Sequence, residues 1–463
     1  MPKPQIVWFR RDLRLRDQPA LYAAAQRGPI IPVYVLDDER AGDRKLGGAS
    51  RWWLHHSLES LATGLARHNA KLTLLRGDCV EKLSELAEAV GAETVHAISH
   101  YEPWWRKAEE ELADRLELDL YDGNYLMPPG SVTTGSGGTY KIFTPFYKAL
   151  QKALPTFDPL EEPSFTLPDS WPQSDRLEDW DLLPTKPDWA AGLRKTWEVG
   201  EGAAHEKLSY FSDIASDYEK GRNLPSVEGT SRLSPHLHWG EISPAQVWKA
   251  LEGKRGQGVE VFRSELIWRD FAQNILFQFP HYPEENYRER YDGLEWRNPN
   301  RGHLIEEDLK AWQQGQTGYP IVDAGMRQLW ATGWMHNRVR MIVASFLIKH
   351  LLIDWRHGEK WFWDTLVDAD YASNGTNWQW VSGTGVDTQL YTRIMAPLSQ
   401  SAKFSAENYI REWVPELAHL SDEDIHDPSA EKRPESYPER LIEHTEGRER
   451  ALNAYKAMKA AED

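Results

Sequence analysis

Cysteine is almost missing: Cys79 is the single one in 463 residues. One thiol excludes an internal disulfide framework, and it excludes an iron–sulfur cluster or a zinc centre built on several thiolates. There is no apolar run of roughly 18 residues or more, so no segment is expected to span a membrane. The opening MPKPQIVWFRRDLRLRD holds no apolar stretch of secretory length, and the chain is expected in the cytoplasm. Positive charge is also scarce. Lys and Arg number 54 against 71 Asp and Glu, a formal net charge of −17. A field of that sign repels a polyanion at long range, but it is screened beyond about 10 Å at moderate salt. Nucleic-acid binding is therefore confined to a local basic face. Residues 218–350, with 17 basic and 16 acidic side chains, are the place to look. The first strand-to-helix turn reads Phe9-Arg10-Arg11-Asp12 and has no G-x-G-x-x-G, which argues against a dinucleotide dehydrogenase.

Tryptophan is what the chain has in excess. Its 22 residues suit cores, stacking platforms and redox wires alike. Over residues 1–121, short runs rich in Val, Ile and Leu at 5–9, 30–36, 71–75, 94–98 and 119–121 read as strands. Helical spacing over 18–27, 50–68, 80–90 and 105–116 alternates with them. This repeated βαβ pattern predicts an α/β domain on a parallel, Rossmann-like sheet. Residues 122–201 carry many prolines and read as a connecting segment with one ordered patch at 140–154. From 202 to 463 the periods are helical, at 202–220, 243–251, 262–277 and 323–352, and predict an all-α second domain.

Three segments of the helical half combine polar, aromatic and basic residues. In the first, Tyr218 and Arg222 precede Thr230, Ser231, Arg232, Leu233 and Ser234. Hydroxyls and backbone N–H groups ahead of a helix suit a phosphate, although a plain Ser/Thr cap is the simpler reading. In the second, Glu265, Trp268 and Arg269 stand at i, i+3 and i+4, a polar and stackable wall or else a surface ion pair over a core indole. The third runs from Gly333 to Met341, with Asn337, Arg340 and Met341 on one face, and continues through Trp355, Asp368, Asp370, Asn374, Trp378 and Trp380. Asp368 and Asp370 lack a His or Glu at ligand spacing, so no metal is expected there. Carboxylates beside an amide and guanidinium groups better suit the polar edge of a cofactor. Cys79 has no local basic activator, and no nucleophilic triad can be drawn.

The strings VWFRRDLRLRDQPAL, EGTSRLSPHLHWGEISP, ELIWRDF, TGYPIVDAGMRQLWATGWMHNRVRMIVASFL and WQWVSGTGVDTQLYTRIMAPLSQSAKF resemble the photolyase/cryptochrome flavoprotein family over essentially the whole chain. Within it the likeness is to the bacterial class I cyclobutane pyrimidine dimer branch. The resemblance implies an α/β antenna domain, a helical domain holding non-covalent FAD, active when reduced, and light-driven electron transfer to a dimer in ultraviolet-damaged DNA. It implies that Tyr218, residues 230–234, Asn337, Arg340, Asp368 and Asp370 bind FAD. Asn374 corresponds to the residue facing flavin N5. Trp378, Trp355 and Trp296 correspond to an electron relay. Arg222, Glu265, Trp268, Arg269, Asn337, Arg338, Met341, Trp380 and Gln400 correspond to the face meeting DNA and lesion, with Glu265, Asn374 and Met341 nearest the chemistry. A monomer is expected. Folate-binding members carry Asn-Glu where this chain has Trp104 and Trp105, which disfavours a folate antenna. A deazaflavin, a flavin or an empty antenna pocket all remain open. The rival from another class is a cryptochrome-type blue-light signalling flavoprotein without repair. The intact lesion-facing set and the short stretch after the 396–404 motif favour repair.

Overall fold

The computed structural model describes residues 2–462. Five strands, β1 (Gln5–Phe9), β2 (Ile30–Leu36), β3 (Thr73–Arg76), β4 (Thr94–Ile98) and β5 (Glu117–Tyr121), make one parallel sheet in the order β3-β2-β1-β4-β5. Gln5 stands opposite both Ile30 and Thr94, which fixes the register of the central three strands. Helices α1 (Pro19–Arg27), α2 (Gly48–Ala66), α3 (Cys79–Val90) and α4 (Pro103–Ala113) are the crossovers. Ile6, Trp8, Ile31, Val33, Val35 and Val95 pack against Val80, Leu83, Leu86 and Leu112. The Cys79 thiol lies in this core, and burial pushes its pKa up, as expected of a structural cysteine.

Strand order reverses between β1 and β4, the point at which doubly wound sheets usually receive a ligand. Protein fills this end of the sheet. Arg10 is buried, lies 4.1 Å over the Trp8 ring, pairs with Glu109 at 2.7 Å and donates to the Ile98 carbonyl at 2.5 Å. Arg11 pairs with the buried Glu102. Trp105 meets Trp8 edge to face, so this indole is spent on packing.

Two compact units emerge, Met1–Ser216 with Ser231–Pro280, and Asp217–Thr230 with His281–Asp463. This division differs from the boundary expected at 201/202. The reason is long-range hydrogen bonding that ties later chain to the sheet. Arg14, fully buried, donates to the carbonyls of Gly123 and Gly240, both at 2.9 Å, and to Asn124 at 3.1 Å. Trp53 and Ser57 of α2 both donate to the buried Glu241. The connecting segment holds α5 (Phe143–Ala153), which packs on the helix Gln257–Gln278 of the same unit, and, beyond the single ordered patch expected, a 3-10 turn at Leu177–Trp180 and a short helix at Ala191–Thr196.

The second unit is helical; its single β-bridge among the described residues joins Arg297 to Ile353. The helix expected over 323–352 is broken into Pro320–Thr332, Asn337–Ser345 and a π-helical turn, Phe346–His350. The break is local chemistry: Gly333, with φ of 66°, ends the first helix, and His336 caps the next one, its Nδ1 accepting from Arg338 N at 3.3 Å. No helix of the described residues is long and apolar enough to cross a membrane.

The C-terminal helix His444–Glu462 packs on that π-turn, where His350 and His444 meet ring nitrogen to ring nitrogen at 2.8 Å. Burial, and then His444, push His350 down to about 3. A histidine depressed in the folded state keeps its full stabilising effect above about pH 6.5 and loses it as pH falls toward 3, because the unfolded chain takes up the proton first. The loss amounts to on the order of 4 kcal/mol by pH 3. Asp270, raised by burial to about 7, works in the opposite direction over part of that window. The difference between parent and variant therefore isolates the histidine. Urea midpoints measured from pH 7 to pH 4 should fall less steeply in His350→Phe than in the parent. Parallel curves would remove His350 from the acid response.

Candidate flavin and lesion site

Two helices that pack together in the second unit, Trp355–Thr365 and Tyr371–Ser382, carry much of the expected site. Asp354 caps the first, accepting from Arg356 N at 3.0 Å, and Asp370 caps the second, accepting from Ser373 N at 2.7 Å. Asn374 lies one turn in. Its Nδ2 donates to the Glu359 carbonyl at 3.0 Å and to Glu359 Oε1 at 2.9 Å. Two acceptors on one nitrogen settle the orientation of the amide, leaving Oδ1 as the atom Asn374 can offer elsewhere. Glu359 is fully buried and sequence reasoning missed it. A signal existed: it falls on the apolar stripe of Trp355 and Phe362, where a carboxylate has no reason to stand unless it orients something.

Trp378 follows Asn374 by one turn on the same face and is buried against Phe362, with ring centroids 5.1 Å apart, and Trp312, at 6.4 Å. Gly358 makes this possible, because a Cβ there would lie 2.1 Å from Trp378 Cη2. Trp355 is fully buried and donates its indole N–H to Asn286 Oδ1 at 2.9 Å. Trp296 is only partly buried, against Tyr291, Leu294 and Tyr391. The Arg297–Ile353 bridge sets its chain beside that leading to Trp355. Of the three indoles, Trp378 and Trp355 are buried and Trp296 is partly buried.

Asp368 holds Arg340 through both oxygens, at 3.2 and 3.0 Å, and Arg340 Nε donates to the Met335 carbonyl at 2.8 Å. Arg340 is therefore turned toward Asp368, away from the Arg338–Met341 cavity described below. Tyr218 is buried under the Arg222 guanidinium, 5.3 Å from its ring centre. Gly221 and Gly229 touch backbone to backbone; a Cβ on Gly229 would lie 2.5 Å from Gly221 Cα. That contact draws the Tyr218 turn against the strand of chain leading to Thr230. The helix after Ser234 is short, Ser234–His238, and its cap is Leu233 with no capping hydrogen bond from a side chain. The simple Ser/Thr-cap reading of residues 230–234 is therefore not what the fold uses.

A cavity of about 430 Å³ unites Arg338, Met341 and Gln400, and adds Asn223, Leu224, Ile342, Arg393, Met395, Lys403 and Phe404. Arg338 is tied to Asn223 Oδ1 at 2.7 and 2.9 Å and reaches Met341 Sδ at 3.7 Å. Three cations and no carboxylate line it, in a chain of net charge −17. Trp380 is half-buried and Asn337 is exposed at the first position of its helix; neither lines the cavity.

Glu265, Trp268 and Arg269 belong to the first unit, on the helix Gln257–Gln278. Trp268 and Glu265 are half-buried. Arg269 departs from expectation. It donates to the Asn124 carbonyl, to the Leu237 carbonyl at 3.0 Å, and lies 4.7 Å over Tyr125. A guanidinium holding two backbone carbonyls is committed to the fold, which takes Arg269 out of the DNA-facing set. Next to it, Asp270 accepts from Met127 N at 3.0 Å and is pushed by burial up to about 7.

Comparison with known proteins gives the family. Residues 5–164 match the DNA photolyase family, and residues 262–457 match the FAD binding domain of DNA photolyase. The deoxyribodipyrimidine photo-lyase of Agrobacterium fabrum is 47% identical, over 98% of each chain. A bacterial class III photolyase from Agrobacterium tumefaciens superposes with a TM-score of 0.94 at 45% identity, covering 99% of this chain and 98% of that one. Class III is a different branch from the class I enzymes that the motifs resemble. A cryptochrome of Synechocystis is more distant, with a TM-score of 0.86 at 27% identity, covering 98% of this chain and 99% of that one. With these matches spanning both the sheet and the helical half, the chain belongs to the photolyase/cryptochrome family.

Proposed function

We propose that this protein is a light-driven DNA repair enzyme that splits cyclobutane pyrimidine dimers, working as a cytoplasmic monomer. The observation that carries the reading is the cavity holding Arg338, Met341 and Gln400, cationic and apolar with no carboxylate in its lining. Such a lining suits a flat, uncharged lesion joined to phosphates. The residues also fit FAD. The Gly221–Gly229 contact makes a close-packed chain crossing that leads into hydroxyls at Thr230, Ser231 and Ser234. Asn374 offers an oriented carbonyl oxygen, and the Arg340–Asp368 pair is a polar edge.

Bound and reduced, FAD supplies the electron that light releases. The chain does the rest. Tyr218 and residues 230–234 would hold the flavin and diphosphate, Asp368 and Asp370 the ribityl chain or adenine and the isoalloxazine edge, and Asn374 Oδ1 would accept from an N–H at the flavin edge. Trp268 and Trp380 stack on extruded bases, Glu265 accepts from a base edge, and Arg222 and Arg338 hold phosphates. The dimer takes up one electron, its two cyclobutane carbon–carbon bonds open, and the electron is returned. The reaction is redox-neutral and needs no acid. The test is illumination of an oligonucleotide with one cyclobutane dimer by protein carrying reduced FAD, with products separated by chromatography. Restored pyrimidines are expected. No restoration with fully reduced FAD would leave the signalling flavoprotein as the surviving reading.

Affinity for dimer-containing duplex should fall with salt despite the net charge of −17. Three cations line the cavity. With about −0.9 per neutralised phosphate, the slope of log K against log salt is expected near −3. A flat dependence would refute a phosphate-gripping face.

A further inference from the structure

The connecting segment contributes more than a connection. At the first turn of α5, the Phe143 ring lies flat against Trp268, with centroids 3.5 Å apart and planes 4° from parallel. Two isolated rings prefer an offset or an edge-to-face arrangement, so a flush sandwich is imposed by what surrounds it. Phe271 meets the edge of Phe143 at 5.7 Å and the edge of Trp268 at 5.6 Å, and Tyr147 leans on Phe143 at 5.7 Å. Phe146 and Leu150, buried on the inner face of α5, anchor that helix in the first unit. Phe143 itself is half-buried, and its ring contacts on the helix Gln257–Gln278 are with Trp268 and Phe271.

We propose that Phe143 is a positioning residue of the lesion-binding wall: its ring backs one face of Trp268, so that the indole meets an extruded pyrimidine with its other face already fixed in place. The proposal rests on the reading of Trp268 as a stacking platform. An indole free to turn about its side-chain bonds loses that freedom on binding, at a cost of affinity, whereas one pinned beforehand does not. The backing is also consistent with the charge of the region. Residues 123–157 contain no acidic side chain at all, although the chain as a whole is strongly acidic.

The experiment uses full-length protein loaded with FAD and a duplex carrying one cyclobutane dimer, beside the same duplex undamaged. Phe143→Ala is expected to bind the damaged duplex about fivefold to tenfold more weakly, while its affinity for the undamaged duplex and its FAD content stay at parent values. Phe143→Tyr, which keeps a flat ring, is expected to restore parent binding. A merely structural role is excluded by the double-mutant cycle. In a Trp268→Ala background, Phe143→Ala should have no further effect on lesion affinity. Equal lesion affinity for Phe143→Ala and parent, or the same loss with and without Trp268, overturns the proposal. Should Trp268→Ala itself bind the lesion as the parent does, the platform reading of Trp268 fails, and this inference with it. Loss in Trp268→Ala without loss in Phe143→Ala sinks this inference alone.

Discussion

Replacing Trp378 by Phe is expected to slow light-driven reduction of bound, oxidised FAD at least about a hundredfold, an increase of roughly 2.7 kcal/mol in effective barrier. Lesion repair by protein reduced chemically beforehand should stay near the parent rate. The two outcomes separate because they use different routes. Loading an electron from outside needs a chain of oxidisable side chains, and Trp378 is the buried indole one turn from Asn374. Repair moves the electron from cofactor to lesion and does not cross the indole chain. Phenylalanine keeps the ring contact with Phe362 and Trp312 but is far harder to oxidise. The smaller ring leaves a limited void, in a wall already so tight that Gly358 has no room for a methyl group. Absorbance after blue light, with an external reductant, follows the first rate. Chromatography of illuminated lesion DNA follows the second. Equal photoreduction in mutant and parent removes Trp378 from the relay.

Cyclobutane dimers should be repaired and (6-4) photoproducts should not. The (6-4) branch of the family is understood to need a proton donated by a histidine in the region of residues 337–341. Here the corresponding places are Asn337 and Met341, and neither an amide nor a thioether has a proton to give near neutral pH. His336, next in sequence, is no substitute. It is buried, and its Nδ1 is engaged by the backbone N–H of Arg338 as the cap of the helix. The cavity around Met341 is lined by no histidine, cysteine or carboxylate. A positioned general acid contributes about 100-fold to 10⁴-fold, so repair of the (6-4) lesion should be slower by at least about 100-fold, below detection in an ordinary assay. Oligonucleotides carrying each lesion singly, illuminated with reduced protein, decide the matter. A restored (6-4) substrate would sink the assignment.

What was legible in the sequence was what local patterning controls. Strands β1, β2 and β4 coincide with the runs read from Val, Ile and Leu content, because parallel strands buried on both faces are simply apolar. β3 begins two residues later than expected, at Thr73, since Lys71 and Leu72 precede the pairing with Val33. The helix read over 323–352 breaks because Gly333, in the left-handed region, ends the first helix and His336 caps the next through its side chain, which hydrophobic period does not encode. The site divides in the same way. Arg338 and Met341 share a helix and were found together, but Asn223, Arg393 and Lys403 join them only through tertiary packing. Arg269 was misread for the complementary reason. Its helical neighbours Glu265 and Trp268 suggested a shared exposed face, while the carbonyls that claim it, from Asn124 and Leu237, are remote in sequence.

Arg14 gives the fold a timetable. Its guanidinium is fully buried, and one of its carbonyl acceptors, at Gly240, follows it by 226 residues. A ribosome adding about 5–20 residues per second reaches that carbonyl roughly 11–45 s after making the arginine. Throughout that interval the nascent sheet holds a cation that it cannot yet bury with all its acceptors. Short of residue 240 the N-terminal part therefore lacks one acceptor of a buried guanidinium, supplied by a glycine from what reads in sequence as another domain. Fragments cut short of residue 240 should precipitate on release, while those extended to Pro280 should stay in solution.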